Sequence, residues 1–365
     1  MPSLSYIRSL AATLVLAVSS SLAPSGAQDS VRIVNPIPAD AQIIFVSTRD
    51  KEKDPWGMAA NALYAGTLDG KVTRITLSKY NHNHFVVSPD RRYIATNRYS
   101  RGDSNKDGKY FPLNDYKELW LVDTVAGTER RLVPEIDAGW GGLAWSPDSK
   151  WIYFSSPTPG VGMDLRRVNI ESQKVEVVTA GVNKLLGAQG ERKFVSDVGA
   201  SADGKSLVFL YSPPAASQGG NIKTRIAVMK LDGSEAHFVT DGGPLTPQRR
   251  GAWGVGDYDP EFSPDGKSIS FARVTDAGMV SPTLSTFDIM TVGVDGSNLR
   301  SISPPHNTAA EFIPGWGDNG KLIFTRLDPA ARTMAPVVYD PATGKRTPIS
   351  VGGEGSHVQW IPAGR

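Results

Sequence analysis

Short apolar runs bounded by polar turn residues recur along the chain, the pattern of β-strands joined by tight turns. The stretch FSPDGKSISF, Phe262 to Phe271, shows the unit. Its Ser-Pro-Asp-Gly-Lys lies between two strands: proline presets φ at one corner, aspartate bonds back to the backbone, and glycine takes the φ > 0 position. The phrase returns as VVSPDRRYIAT around Asp90, AWSPDSKWIYF around Asp148, GASADGKSLVF around Asp203 and GWGDNGKLIFT around Asp318. From Asp90 through Asp148, Asp203 and Asp265 to Asp318, the marker aspartates are 58, 55, 62 and 53 residues apart. A period of about 50–60 residues signals a repeat architecture.

Each unit follows one plan. Two strands flank the Ser-Pro-Asp turn, a loop of varying length leads to a third, such as ELWLVDT at Glu118 to Thr124, and a tight turn leads to a fourth, such as ERRLV at Glu129 to Val133. Leu68-Asp69-Gly70, Leu231-Asp232-Gly233 and Val294-Asp295-Gly296 supply that second turn in three units, and Asp-Gly is a strong hairpin signal. Four antiparallel strands repeated around an axis make β-propeller blades. At the N-terminal end AQIIFVST, Ala41 to Thr48, reads as a second strand with no first, and the C-terminal HVQWIPAGR as a first strand with no second. The expected fold is all-β: a six-bladed β-propeller of four-stranded antiparallel blades. Pairing of Ser356 to Trp360 beside Gln42 to Ser47 closes the ring.

Composition narrows the setting. A formal charge of +2 over 365 residues gives no basic surface for nucleic acid, and without cysteine there is no disulfide, thiolate metal site or cysteine nucleophile. Arg8, the apolar run Leu10 to Val18, and Ser25 and Ala27 before a cut after Ala27 read as a secretory signal peptide. The run is too short to span a bilayer. The expected organisation is a signal peptide over 1–27 and one propeller domain over 28–365, periplasmic or secreted and monomeric, with no transmembrane segment after cleavage.

The phrase DYDPEFSPDGKSISFAR, Asp257 to Arg273, resembles the repeat of the TolB family, WD-repeat-like propellers of the bacterial envelope. The resemblance covers nearly the whole mature chain. It implies an exported TolB-type propeller that binds protein or an envelope polymer. The α/β domain that precedes the propeller in TolB is not expected here, because only about a dozen residues separate the cut from the first blade strand.

Connections on one side are uniformly tight. Those on the other are long: Arg49 to Asn61, Tyr99 to Lys117, Ala180 to Lys193, Asp241 to Gly256 and Thr275 to Ser285. Long loops on a rigid scaffold carry function, so the long-loop face is the expected partner-binding face, with Arg250 and Trp253 in its longest inter-blade link. Four residues before the turn serine, or its equivalent, stand His84, Gly142, Asp197, Asp259, Ile313 and His357. Placed at the start of the innermost strand, His84, Asp197, Asp259 and His357 would ring the long-loop mouth of the channel, with His82 and Glu311 nearby. Such a ring suits a polar ligand or a divalent metal, or serves only to tie strand starts to backbone N–H groups.

In DSNKDGKYFPLND, Asp103, Asn105 and Asp107 alternate and Gly108 permits a sharp turn, the opening of a calcium loop. Asn114 replaces the closing glutamate, so Asp115 or Glu118 would have to complete the shell. Trp145, Trp316 and Trp360 precede turns and are expected to pack between blades, while Trp56, Trp140 and Trp253 lie near loops. There is no G-x-S-x-G, H-E-x-x-H or P-loop. A non-catalytic binding scaffold is therefore the first reading. A metal-dependent polysaccharide lyase or hydrolase at the channel mouth is the second.

Overall fold

The strands fall into four-stranded antiparallel sheets, each built mainly from neighbours in sequence. The structure is a computed structural model that describes residues 32–54, 59–99, 117–136, 142–158, 162–178, 194–212, 223–243, 255–281, 284–331, 333–353 and 355–364. There is no α-helix among the described residues, hence none long and apolar enough to cross a membrane.

The first sheet joins the two ends of the chain. It contains β1 (Ile43–Ser47), β2 (Ala62–Gly66), β3 (Val72–Arg74) and the last strand, β24 (Ser356–Trp360), in the order β24-β1-β2-β3. Ile43 faces Trp360, Ile44 faces Gln359 and Val46 faces Ser356. The two orphan strands of the sequence thus become partners. The second sheet is β4 (His82–Val87), β5 (Tyr93–Tyr99), β6 (Lys117–Asp123) and β7 (Thr128–Ile136). The third is β8 (Ala144–Trp145), β9 (Trp151–Thr158), β10 (Gly162–Asn169) and β11 (Val175–Val177).

Three further groups follow the same plan. They are β12 (Phe194–Ala200), β13 (Ser206–Ser212), β14 (Lys223–Lys230) and β15 (His237–Phe238); then β16 (Val255–Phe262), β17 (Ser268–Ser281), β18 (Leu284–Gly293) and β19 (Arg300–Ser301); then β20 (Ala310–Trp316), β21 (Leu322–Asp328), β22 (Thr333–Asp340) and β23 (Lys345–Pro348). Short parallel contacts, Lys223 with Val255 and Phe287 with Ala310, link these groups into one hydrogen-bonded sheet.

The marker turn repeats down to single atoms. In β4–β5, the Ser88 hydroxyl donates to Asp90 Oδ1 at 2.5 Å and accepts the Tyr93 N–H at 2.9 Å, while Asp90 Oδ1 accepts the Arg92 N–H at 3.0 Å. Ser146 and Asp148, Ser201 and Asp203, and Ser263 and Asp265 make the same three bonds. The turn therefore satisfies its own backbone donors, which is why a two-strand unit can be copied as a block.

Inner strands are buried on both faces. IIFVS of β1 is buried at every position, so it reads as a continuous apolar run instead of an alternating one. The reason is packing on two sides. Ile44, Val46, Leu63 and Ala65 of the first sheet meet Phe85, Val87, Ile94 and Val122 of the second. The other face of the first sheet, with Ile43, Phe45, Tyr64 and Val358, packs on Ile323, Val338 and Ile349. Similar clusters join the intervening neighbours. Ahead of β1, Arg32 donates to the carbonyls of Val34 and Thr124, and the Ile33 N–H bonds Gly127. This segment fastens the first sheet to the β6–β7 turn, a contact that the strand pattern did not foresee.

Candidate functional site

The innermost strands carry a defect at equivalent places. Pairing slips between Ser196 and Gly199 on β12, between Tyr258 and Glu261 on β16 and between Phe312 and Gly315 on β20. It also slips between His82 and Phe85 on β4. Each slip is a β-bulge, which bends the strand and re-aims a side chain. Asp197, Asp259, Ile313 and His357 occupy the same place with φ of 48°, 53°, 53° and 52°. Asp and His tolerate this left-handed conformation, whereas β-branched Ile313 is strained in it.

The bulge position corrects one expectation. Asp197 is the fourth of seven residues of β12, Asp259 the fifth of eight of β16 and Ile313 the fourth of seven of β20. Asp197, Asp259 and Ile313 therefore sit halfway along their strands and not at the start, whereas His357 is the second residue of β24 and Gly142 lies just ahead of β8. From the ring a cavity of about 280 Å³ extends to the marker turns, lined by His84, Asp197, Asp259 and Glu261 and bounded by Pro89, Pro147 and Pro264. No lysine or arginine lines it among the described residues.

The ring residues do different things. Asp197 Oδ1 accepts the N–H of Gly142 at 3.1 Å, and Asp259 Oδ2 accepts the N–H of Ile313 at 3.2 Å. Each aspartate thus holds the equivalent residue of the neighbouring four-strand group, as the backbone-tying alternative proposed. A Cβ on Gly142 would come within 3.1 Å of the Asp197 Cα, so glycine lets these strands approach. Elsewhere among the innermost strands, His84 and His357 meet edge to face with ring centroids 5.2 Å apart. Two neighbours that the spacing argument placed nearby are committed elsewhere. His82 is fully buried and its Nδ1 lies 3.4 Å from the Thr96 hydroxyl. Burial, with Arg98 and Arg74 close by, holds its pKa well below the usual imidazole value. Glu311 is fully buried, accepts from Arg326 at 2.6 Å and Ser303 at 2.5 Å, and also bonds Arg346. Among the described residues no three His, Asp or Glu side chains are placed to share a metal ion.

Glu261 was not singled out from the sequence. Burial raises its pKa to about 8 despite a hydrogen bond from the Trp316 backbone, and raises Asp259 to about 6 despite that from Ile313. Its Oε2 occupies room left by Gly315, where a Cβ would lie 3.4 Å away. The readable signal was a glutamate two residues before a turn serine, a place that holds apolar Val86, Ala144 or Gly199 in other repeats. Trp145 packs as expected: it is buried, and its indole N–H donates to the Val86 carbonyl at 2.9 Å. A second cleft of about 510 Å³ lies between β13–β15 and the β16–β17 turn, lined by Lys230, Glu235, His237 and Asp265. The signal peptide, the Asp103–Asn105–Asp107 loop, Trp56, Trp140, Arg250 and Trp253 lie outside the described residues.

No family model matches the chain. A curated relative, an uncharacterized protein of Agrobacterium fabrum, is 27% identical over 174 residues, which are 46% of this chain and 52% of the relative. The chain thus spans about half the length of the curated relative it matches. Among solved structures, TolB of Acinetobacter baumannii superposes with a TM-score of 0.59 at 16% identity, covering 89% of this chain and 68% of that one. Hydrazine synthase of Kuenenia stuttgartiensis gives 0.56 at 11% identity over 91% of this chain and 48% of that one. The propeller domain of the trilobed protease of Pyrococcus furiosus gives 0.51 at 12%, covering 88% and 98%. These likenesses establish the class: an all-β, TolB-like β-propeller fold. At such identities they speak for the fold alone.

Proposed function

We propose that this protein is an exported binding scaffold, a six-bladed propeller closed by β24 against β1. A partner protein or envelope polymer sits on its long-loop face and reaches into the channel as far as the bulge ring. The observation that supports this most is the contrast between repeated and varied positions. Serine and aspartate of the marker turn recur with the same bonds in four repeats. The equivalent positions four residues before each turn are His, Gly, Asp, Asp, Ile and His. Turn chemistry is constrained by folding, whereas an asymmetric ring suits recognition of one asymmetric ligand. The packing of Val358 and Phe45 on Ile323 and Val338 supports the closed ring.

A pull-down with the mature chain tests the reading. Arg250→Ala with Trp253→Ala should cost the partner at least tenfold in affinity, because tryptophan and arginine are the usual interface anchors. Asp232→Ala with Lys267→Ala, on the opposite face, should leave it bound. Loss with the second pair and not the first would move the binding face to the marker-turn mouth and overturn the assignment.

A further inference from the structure

We propose that the His84–His357 contact makes the seam between β24 and β4 acid-sensitive, so that protonation of the two facing imidazoles loosens the terminal strand. The rings lie 5.2 Å apart at 86°, the edge of one against the face of the other. That arrangement suits neutral rings, since the positive edge of one meets the electron-rich face of the other. Imidazole is the side chain whose charge changes near neutrality, and two imidazolium ions in this contact would repel. Relief into solvent is restricted, because His84 is only 7% exposed.

The strand that bears His357 has little backbone pairing. β24 pairs with β1 through three residue pairs broken by a bulge. Beyond it, the Ile361 N–H bonds the Gln42 carbonyl at 2.9 Å and the Ala363 N–H bonds Asp318 at 2.7 Å. Repulsion at His357 therefore acts on a strand whose hydrogen bonding to β1 is short and interrupted, although Val358 is anchored in the core.

Among the described residues, most nearby charged groups are engaged elsewhere. On β4, His82 is held neutral by burial, and on β5 Arg98 is paired with Glu129 of β7. On β20, Glu311 is committed to Arg326 and Arg346. Among the described residues, the other carboxyls lining the cavity are Asp197 on β12 and Asp259 and Glu261 on β16, with Asp318 in the turn after β20. Asp259 and Glu261 gain protons on acidification, so their capacity to balance imidazolium charge falls as that charge appears. They also shift global stability in the opposite direction from the histidines, so the seam must be read locally.

Hydrogen exchange followed by mass spectrometry on the full mature chain at pH 7.5 and 5.5, corrected for intrinsic rates, gives that local reading. Peptides covering β24 and β1 should lose about tenfold protection per pH unit for each proton resisted by the folded seam, relative to β9–β10. His84→Phe keeps an edge-to-face partner without a charge and should abolish the loss. His357→Asn, which tolerates the left-handed backbone, should do the same, and the double variant should add nothing. Unchanged relative protection of wild-type β24 and β1 would overturn the proposal, even if neither variant folds. So would a His84→Phe variant as acid-sensitive as the wild type.

Discussion

At the scale of residues, burial decides which polar groups are structural and which stay poised. Glu311 lies between two guanidiniums, and each neutralises part of its desolvation cost. Glu311→Ala leaves Arg326 and Arg346 facing each other without their shared anion. We expect a loss of about 3 kcal/mol in denaturant unfolding, the lower end for a broken buried pair because both arginines keep some solvent. Glu261 has no such partner among the described residues. Its carboxyl is raised to about 8 when folded against an ordinary value of 4.5, so the folded state binds the extra proton. Its contribution is complete below about pH 4.5 and is lost as pH rises to about 8. The unfolding equilibrium should therefore favour the unfolded chain by up to about tenfold per pH unit across that window. Glu261→Gln should flatten this part of the pH profile, and an unchanged slope would show that Glu261 is ionised in the folded protein. The marker turns show a second residue-level rule. Gly204 and Gly266 take φ near 70°, but Arg91 and Ser149 accept the same strain. Arg91 bonds the carbonyls of Pro38 and Ala41, and Ser149 accepts the Asp90 N–H, so a bond between sheets offsets the lost glycine.

At the scale of elements, the strand most exposed to test is β24. Removing residues 356–365 strips Val358 and Ile361 from the core and leaves β1 as an open edge. Two buried aliphatic side chains are worth about 3–6 kcal/mol together, before any hydrogen bond is counted. The truncated chain should therefore melt well below the full one by circular dichroism. Equal melting temperatures would mean that β24 adds no stability. The inner strands also show why their register was hard to read. The bulged strands HNHFVV and VGDYDPEF mix polar and apolar residues without strict alternation, so nothing in them marks the inserted residue.

At the scale of the whole molecule, repetition fixes the scaffold and variation fills it. Copies of one hairpin turn space the sheets, and apolar clusters between neighbours bury both faces of each. Chemistry then collects where equivalent positions meet at the channel: carboxyls from β12 and β16, imidazoles from β4 and β24. That segregation is what the binding and hydrogen-exchange experiments probe.

The sequence by itself determined the turns, the four-strand unit and the pairing of the end strands. Each rests on local chemistry, such as a serine and an aspartate closing their own turn, or on a strand missing its neighbour. It also located the ring positions, by counting back from the turn. Only the tertiary structure decided what those positions do. A bulge places Asp197, Asp259 and Ile313 midway along their strands, and Asp259 meets Ile313 from 54 residues away. His84 meets His357 across the two ends of the chain, and Glu311 finds its arginines on two later strands. Contacts between residues far apart in sequence leave no periodic trace in it. Their partners are chosen by packing, once the repeats have brought the sheets together.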